Sequence, residues 1–148
     1  MIQSILKKPV MRFAKTHQDA QLPKKNHSDD AGWDLFSVEN KIIKAKEKAV
    51  VDVGLQLAYL EPGYWIRVAS RSGLSFKNGI LAHPGVIDTG YRGTLGVLLY
   101  NHDLVDHEVK VGDRIAQIVV HFNVDLDVEW GNIETTERGE KGFGSSGR

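Results

Sequence analysis

At 148 residues and 41% hydrophobic content the chain has room for one domain, residues 1–148, with a sizeable core, and nothing in its length asks for a second. Its 19 Lys and Arg balance its 19 Asp and Glu, so no global basic field points to duplex nucleic acid or a membrane surface, although local clusters can still bind phosphate. The lack of cysteine excludes disulfides, thiolate nucleophiles and Cys-based zinc sites. With no membrane-length apolar run and no signal-like apolar core in residues 1–10, it leads us to expect a soluble cytoplasmic enzyme or binding protein.

Residues 1–9, which include Lys7, Lys8 and Pro9, read as an N-terminal arm, and residues 10–14 as a short strand. Residues 21–30 are rich in Pro, Lys, Asn, His, Ser and Asp and describe a solvated loop. It delivers Ala31-Gly32-Trp33-Asp34-Leu35-Phe36-Ser37, where an extended backbone sends Trp33 and Leu35 to one face and Asp34 and Phe36 to the other. Residues 41–48 alternate poorly. Val51, Val53, Leu55, Leu57 and Tyr59 then recur with period 2 and predict a half-buried strand, Glu61-Pro62-Gly63 a turn, and residues 64–69 the returning strand of a hairpin. Apolar, β-branched runs follow at 95–100, 109–111 and 115–122, and residues 75–79 leave room for a helical turn. Many short strands separated by Gly, Pro and Asp, with no convincing 3.6-residue period, predict an all-β sandwich or barrel-like fold.

The stretch Gly85-Val86-Ile87-Asp88-Thr89-Gly90-Tyr91-Arg92-Gly93 sets one carboxylate and one aromatic among glycines, where a strand leaves its ladder. Asp88 there reads either as turn chemistry or as a catalytic group. Asp34 reads equally as a surface carboxylate or a functional one. In Arg71-Ser72-Gly73 a guanidinium, a hydroxyl and a permissive backbone suit phosphate oxygens. Gln117, in Gly112-Asp113-Arg114-Ile115-Ala116-Gln117, reads first as an amide satisfied by backbone.

The tail Arg138-Gly139-Glu140-Lys141-Gly142-Phe143-Gly144-Ser145-Ser146-Gly147-Arg148 contains Gly-x-Gly-x-x-Gly without the strand and helix that a dinucleotide fingerprint needs. It reads as a disordered terminus or as a strap that folds over a phosphorylated ligand, with Phe143 on a flat ring. The 6 histidines lack metal-ligand spacing, and no Walker loop or Gly-x-Ser-x-Gly elbow is present.

Taken together, Ala31-Gly32-Trp33-Asp34-Leu35, Arg71-Ser72-Gly73-Leu74, Gly85 to Asp88 with Tyr91-Arg92-Gly93, Gly112 to Gln117, and Arg138 to Gly147 closely resemble the ordered motifs of the homotrimeric deoxyuridine triphosphatase (dUTPase) family. The resemblance implies a single-domain, β-clip, jelly-roll-like subunit with a mobile glycine-rich C-terminal arm at 138–148, and a homotrimer whose subunits share each active site. It implies hydrolysis of dUTP to dUMP and pyrophosphate with Mg²⁺ as cofactor, in the cytoplasm or, for a viral protein, the host cytoplasm. Asp88 matches the carboxylate that activates the attacking water, and Asp34 the one that holds magnesium through its waters. Arg71, Ser72, Gly73 and Gln117 match phosphate contacts. Gly85 and Ile87 match the backbone groups of a hairpin that reads the uracil edge, and Tyr91 the residue against the deoxyribose. Arg138, Gly144, Ser145 and Ser146 match contacts of the closing arm, and Phe143 the aromatic that stacks on uracil.

Some positions depart from common family forms. Ser70 stands where Pro often precedes Arg-Ser-Gly, Thr94 where Glu is usual, and Ala82 where many bacterial relatives have Asn. A dCTP deaminase on the same fold needs a carboxylate at the position of Leu98, and leucine cannot shuttle protons. A non-catalytic nucleotide sensor should have lost Asp34, Asp88 or Phe143, all of which are present.

Overall fold

Apolar residues alternate with polar ones over short spans, and each such span becomes a strand with one face turned to the core. The computed structural model describes residues 7–145 and 147. Its elements are β1 (Met11–Lys15), β2 (Gly32–Phe36), β3 (Lys41–Ile43), β4 (Lys48–Leu60), β5 (Tyr64–Ala69), α1 (Ser72–Asn78), β6 (Ile80–Ala82), β7 (Gly85–Ile87), β8 (Thr94–Asn101), β9 (His107–Val109) and β10 (Arg114–Phe122). One 4-stranded sheet has the order β1-β4-β8-β6 and another the order β2-β10-β5-β7, while β3 and β9 form a 2-stranded ribbon. The fold is all-β, as expected. Of the expected N-terminal arm, residues 7–9 are exposed and outside any strand, and residues 1–6 lie outside the described residues.

The core draws Leu35, Ile66, Val68 and Ile118 from one sheet and Val51, Val53, Leu57, Val97 and Leu99 from the other. Each such side chain contributes about 1.5–3 kcal/mol when fully removed from water. In β8 the alternation is complete, with Leu95, Val97, Leu99 and Asn101 buried. Asn101 is tolerated there because its amide is engaged: Nδ2 donates to the carbonyls of Ile43 and Val105, both at 2.9 Å, and Oδ1 accepts the Asp103 N–H at 3.0 Å.

Three local expectations change. Residues 64–69 are not the returning strand of a hairpin, because β4 and β5 belong to different sheets and β5 pairs with β10 and β7. The Glu61–Gly63 turn is a crossing between layers, fixed by Gly63 in the left-handed region (φ 93°) and by the Asn123 N–H donating to its carbonyl. Tyr59 leaves the buried face of β4. The pairing with β1 skips Ala58, and this bulge turns Tyr59 outward and buries Leu60 together with Leu57. The helical turn begins earlier than expected, so Ser72 and Gly73 sit in the first turn of α1. Its start is held by the Ser75 N–H and hydroxyl, both donating to the Arg71 carbonyl, and its end by Gly79 at φ 64°.

Candidate active site

The first cluster forms where β2 and β10 pair. The ladder sets Asp34 opposite Gln117 and Phe36 opposite Arg114. In a regular strand Gln117 and Arg114, three residues apart, would face opposite sides; a bulge at Ile115 adds one residue and brings both to the face of Asp34. Asp34 is buried, with its carboxylate between two guanidinium groups: Arg71 Nε lies 3.0 Å from Oδ1 and Arg114 Nε 3.6 Å from Oδ2. The surface alternative for Asp34 is therefore set aside. Arg71 also donates from Nη1 to the Arg114 carbonyl at 3.4 Å, which leaves its other N–H groups for a ligand. Gln117 Nε2 donates to the Ser70 carbonyl at 2.8 Å, so the amide is satisfied by backbone as the plainer reading has it, and in doing so it braces the segment before Arg71.

Asp34, Arg71 and Gln117 line one cleft of about 280 Å³, together with Asn26, Asp30, Ala31, Gly32, Ser72 and Gly73, while Arg114 lines a neighbouring cleft that Arg71 also reaches. No side chain caps the start of α1, so the N–H groups of its first turn remain available there. A Cβ at Gly32 would run into Gln117 Oε1, so the amide would have to turn aside to admit it. Among the described residues no group of three or more His, Cys, Asp or Glu forms a metal cage. Two carboxylates, Asp30 and Asp34, nevertheless line a cleft that also carries Arg71 and Ser72. That donor set fits Mg²⁺, which keeps most of its waters and takes one or two carboxylates plus ligand phosphates. Arg114 is the residue that sequence reasoning missed. It stood inside the fourth motif as its lone cation, but the parity that aims it at Asp34 comes from the bulge.

The second cluster lies between β7 and β8. β7 pairs with β5 on one side only and is the last strand of its sheet, and β8 leaves Thr94 to Val97 unpaired on the side away from β4. The two strands are joined through residues 88–93 but pair in different sheets and not with each other. Their ladders diverge into different sheets and leave a slot of about 200 Å³ edged by backbone, lined by Gly85, Val86, Ile87, Tyr91, Thr94 and Gly96 among others. Tyr91 folds its ring over Gly93, where a Cβ would sit 2.2 Å from its hydroxyl, and the hydroxyl donates to the Thr94 carbonyl at 3.1 Å.

Asp88 follows β7 and is exposed. The turn after it is made by other groups: the Tyr91 N–H donates to the Asp88 backbone carbonyl at 3.1 Å, the Thr89 hydroxyl donates to the Tyr64 carbonyl, and Arg92 Nη1 donates to the carbonyls of Thr89 and Tyr91, both at 2.9 Å. Among the described residues the Asp88 carboxylate has no hydrogen-bond partner, so turn formation does not use it.

The structure thus brings Asp34, Arg71, Ser72, Gly73 and Gln117 together, sets Gly85, Ile87 and Tyr91 in a separate slot, and leaves Asp88 in neither. The arm is apart from both. Among the described residues beyond Asn123, hydrogen bonds run only within that C-terminal stretch: Arg138 Nε donates to the Lys141 carbonyl at 2.7 Å, and the Ser145 N–H to that of Gly142 at 3.1 Å. Phe143 is fully exposed in a turn with Gly144. Ser146 lies outside the described residues.

Fold and clefts define a class: an all-β domain with a polar cleft that carries one guanidinium and two carboxylates, kept apart from a slot edged by strand backbone. The profile of the dUTPase family matches residues 18–147, and the chain belongs to that family. It is 45% identical over 140 residues to the deoxyuridine 5'-triphosphate nucleotidohydrolase of Solanum lycopersicum, covering 94% of this chain and 82% of that one. The corresponding protein of Nautilia profundicola is 41% identical over 141 residues, covering 93% and 99%. A variant dUTPase of Staphylococcus bacteriophage 80alpha, solved with dUpNHpp, has a TM-score of 0.87 at 29% identity, covering 93% and 98%.

Proposed function

We propose that the chain hydrolyses dUTP to dUMP and pyrophosphate, by attack of a water on the α-phosphorus in line with the departing pyrophosphate oxygen. The observation that carries the reading is the free carboxylate of Asp88 beside a backbone-edged slot, in a chain that also holds a cleft built around Asp34 and Arg71. Arg71, Ser72, Gly73 and Gln117 bind and orient the phosphates. Asp88 accepts a proton from the water as its oxygen bonds to phosphorus, and the bond from the α-phosphorus to the bridging oxygen breaks. Asp34 would hold Mg²⁺ through its waters, and an ion held there would supply positive charge against the triphosphate. The backbone groups of Gly85 and Ile87 pair with the uracil edge. Each mismatched buried polar group costs about 1–3 kcal/mol, which disfavours cytosine, and a narrow slot leaves little room for a 5-methyl group. Tyr91 packs against the sugar and disfavours a 2′-hydroxyl. Phe143 stacks on the base, with Arg138, Gly144, Ser145 and Ser146 closing over the phosphates. The activity keeps uracil out of DNA and supplies dUMP for thymidylate synthesis.

We further infer that three copies share each site. Cleft, slot and arm are separate within one chain, and the segment between β10 and the arm carries Val124, Leu126, Val128 and Trp130 at period 2, all largely exposed. An alternating strand pattern without a sheet calls for a partner. Among the described residues no helix is long and apolar enough to cross a membrane.

The test is pyrophosphate release from dUTP, dTTP, dCTP and UTP with Mg²⁺ present. Turnover of dUTP at least about a hundredfold above the others supports the reading. Tight dUTP binding without turnover would replace it with a sensor, and ammonia release from dCTP with a deaminase.

A further inference from the structure

We propose that Ser70 is a positioning residue for the base slot: its hydroxyl fastens the strand leading into the slot to the segment that carries Arg71. This deepens the functional reading above and rests on it. The Ser70 hydroxyl accepts the Ala82 N–H at 2.9 Å and is 3.4 Å from the Ala82 carbonyl, to which it donates. The Ser70 carbonyl accepts from Gln117 Nε2 at 2.8 Å. One residue thereby ties together β6, the start of the Arg71 segment and β10. Ala82 is buried, so its N–H has no water to turn to once the hydroxyl is gone.

From Ala82 the path to the slot is short and stiff. His83 is pinned by its N–H donating to the Leu98 carbonyl at 2.7 Å, Pro84 has a fixed φ, and Gly85 already lines the slot. A displacement of β6 therefore reaches Gly85 and Ile87 with little slack. Ala82 offers no side-chain polar group of its own, so main-chain placement has to define the slot. The two departures from common family forms at positions 70 and 82 touch each other, and the hydroxyl that proline would lack is the group that anchors Ala82.

Steady-state kinetics on the full chain test this, with Ser70→Ala, Ser70→Thr and Ser70→Cys. For Ser70→Ala we expect KM for dUTP to rise about three- to tenfold with kcat within about twofold, as binding has to restore the slot that the lost Ala82 hydrogen bond no longer holds in place. The kcat/KM preference for dUTP over dCTP should fall by a similar factor, and amide exchange at Ala82, Gly85 and Ile87 should quicken. Ser70→Thr, which keeps the hydroxyl, should restore all three readouts. Where the alanine variant does not fold, Ser70→Cys carries the test, because it keeps the size and weakens the acceptor. Unchanged KM and preference in an active Ser70→Ala or Ser70→Cys protein overturns the proposal. So does a general loss of activity that threonine fails to rescue. If the wild type left dUTP intact, the functional reading would fail, while amide exchange at Gly85 and Ile87 would still decide on the clamp: no change there overturns it.

Discussion

Around Asp34 the carboxylate and the guanidinium groups hold one another, whereas in the loop after β7 the backbone is held and the carboxylate of Asp88 is left free. At Asp34, two guanidinium groups flank a buried carboxylate, and Gln117 braces the chain before Arg71. In the loop, Thr89, Tyr91 and Arg92 bond to main-chain carbonyls and to none of the Asp88 side-chain oxygens. The contrast separates two jobs. Binding an anion rewards charges fixed in advance, since no reorganisation is then required when the ligand arrives. Taking a proton requires a base with lone pairs uncommitted until a water is placed beside it.

The sharpest way to break the comparison is Asp88→Asn, which removes the base and keeps the shape. We expect kcat on dUTP to fall at least about a hundredfold with binding of a non-hydrolysable analogue preserved, measured by single-turnover kinetics and calorimetry. Near-normal turnover would take Asp88 out of that role. In the cleft, Asp34→Asn removes the charge between Arg71 and Arg114. We expect the Mg²⁺ concentration for half-maximal rate to rise about 10–100-fold, the size seen when outer-shell partners of a metal are lost; an unmoved Mg²⁺ titration would exclude Asp34 as the holder. Truncation after Glu137 removes Arg138, Phe143 and the glycines while leaving the body's hydrogen bonds intact. It should lower kcat/KM by about tenfold or more and leave the melting temperature where it was; equal kinetics with and without the arm would refute a closing role.

The smallest expected effect is Gly32→Ala. The new Cβ would push Gln117 aside and break its bond to the Ser70 carbonyl, with a loss of about 1 kcal/mol in stability and a severalfold rise in KM. Urea melts and initial rates read both, and an unaffected variant would show that the brace is dispensable.

Much of the fold could be read from the chain because its strongest signals are local. The apolar runs of β8 and β10 appear as strands at nearly the expected residues. What escaped depends on partners. Nothing in Glu61-Pro62-Gly63 distinguishes a hairpin from a crossing between sheets, since the choice is made by whether β10 and β7 or β4 offers the better ladder to β5. The bulges at Ala58 and Ile115 change parity without any sequence mark. One moved Tyr59 off the core face, and the other aimed Arg114 at Asp34. Gly54 belongs to the same class: its φ of 67° within β4 and the closeness of His17 and Val38 to any Cβ there are visible only once the sheet bends. For the site, the ordered motifs supplied the members of the cleft and the slot, while the split between them is a property of how the sheets diverge.

That division also bears on how damage in one copy spreads through a mixed population. If three chains pool their parts, a lesion at Asp88 silences the single site that its loop serves, and one at Arg71 silences another. Two defective alleles struck in different parts could then complement each other in a mixed assembly. On the same premise a lesion in the apolar row from Val124 to Trp130 would behave otherwise, for it would withhold the joint itself and so act on companions whose own chemistry is sound.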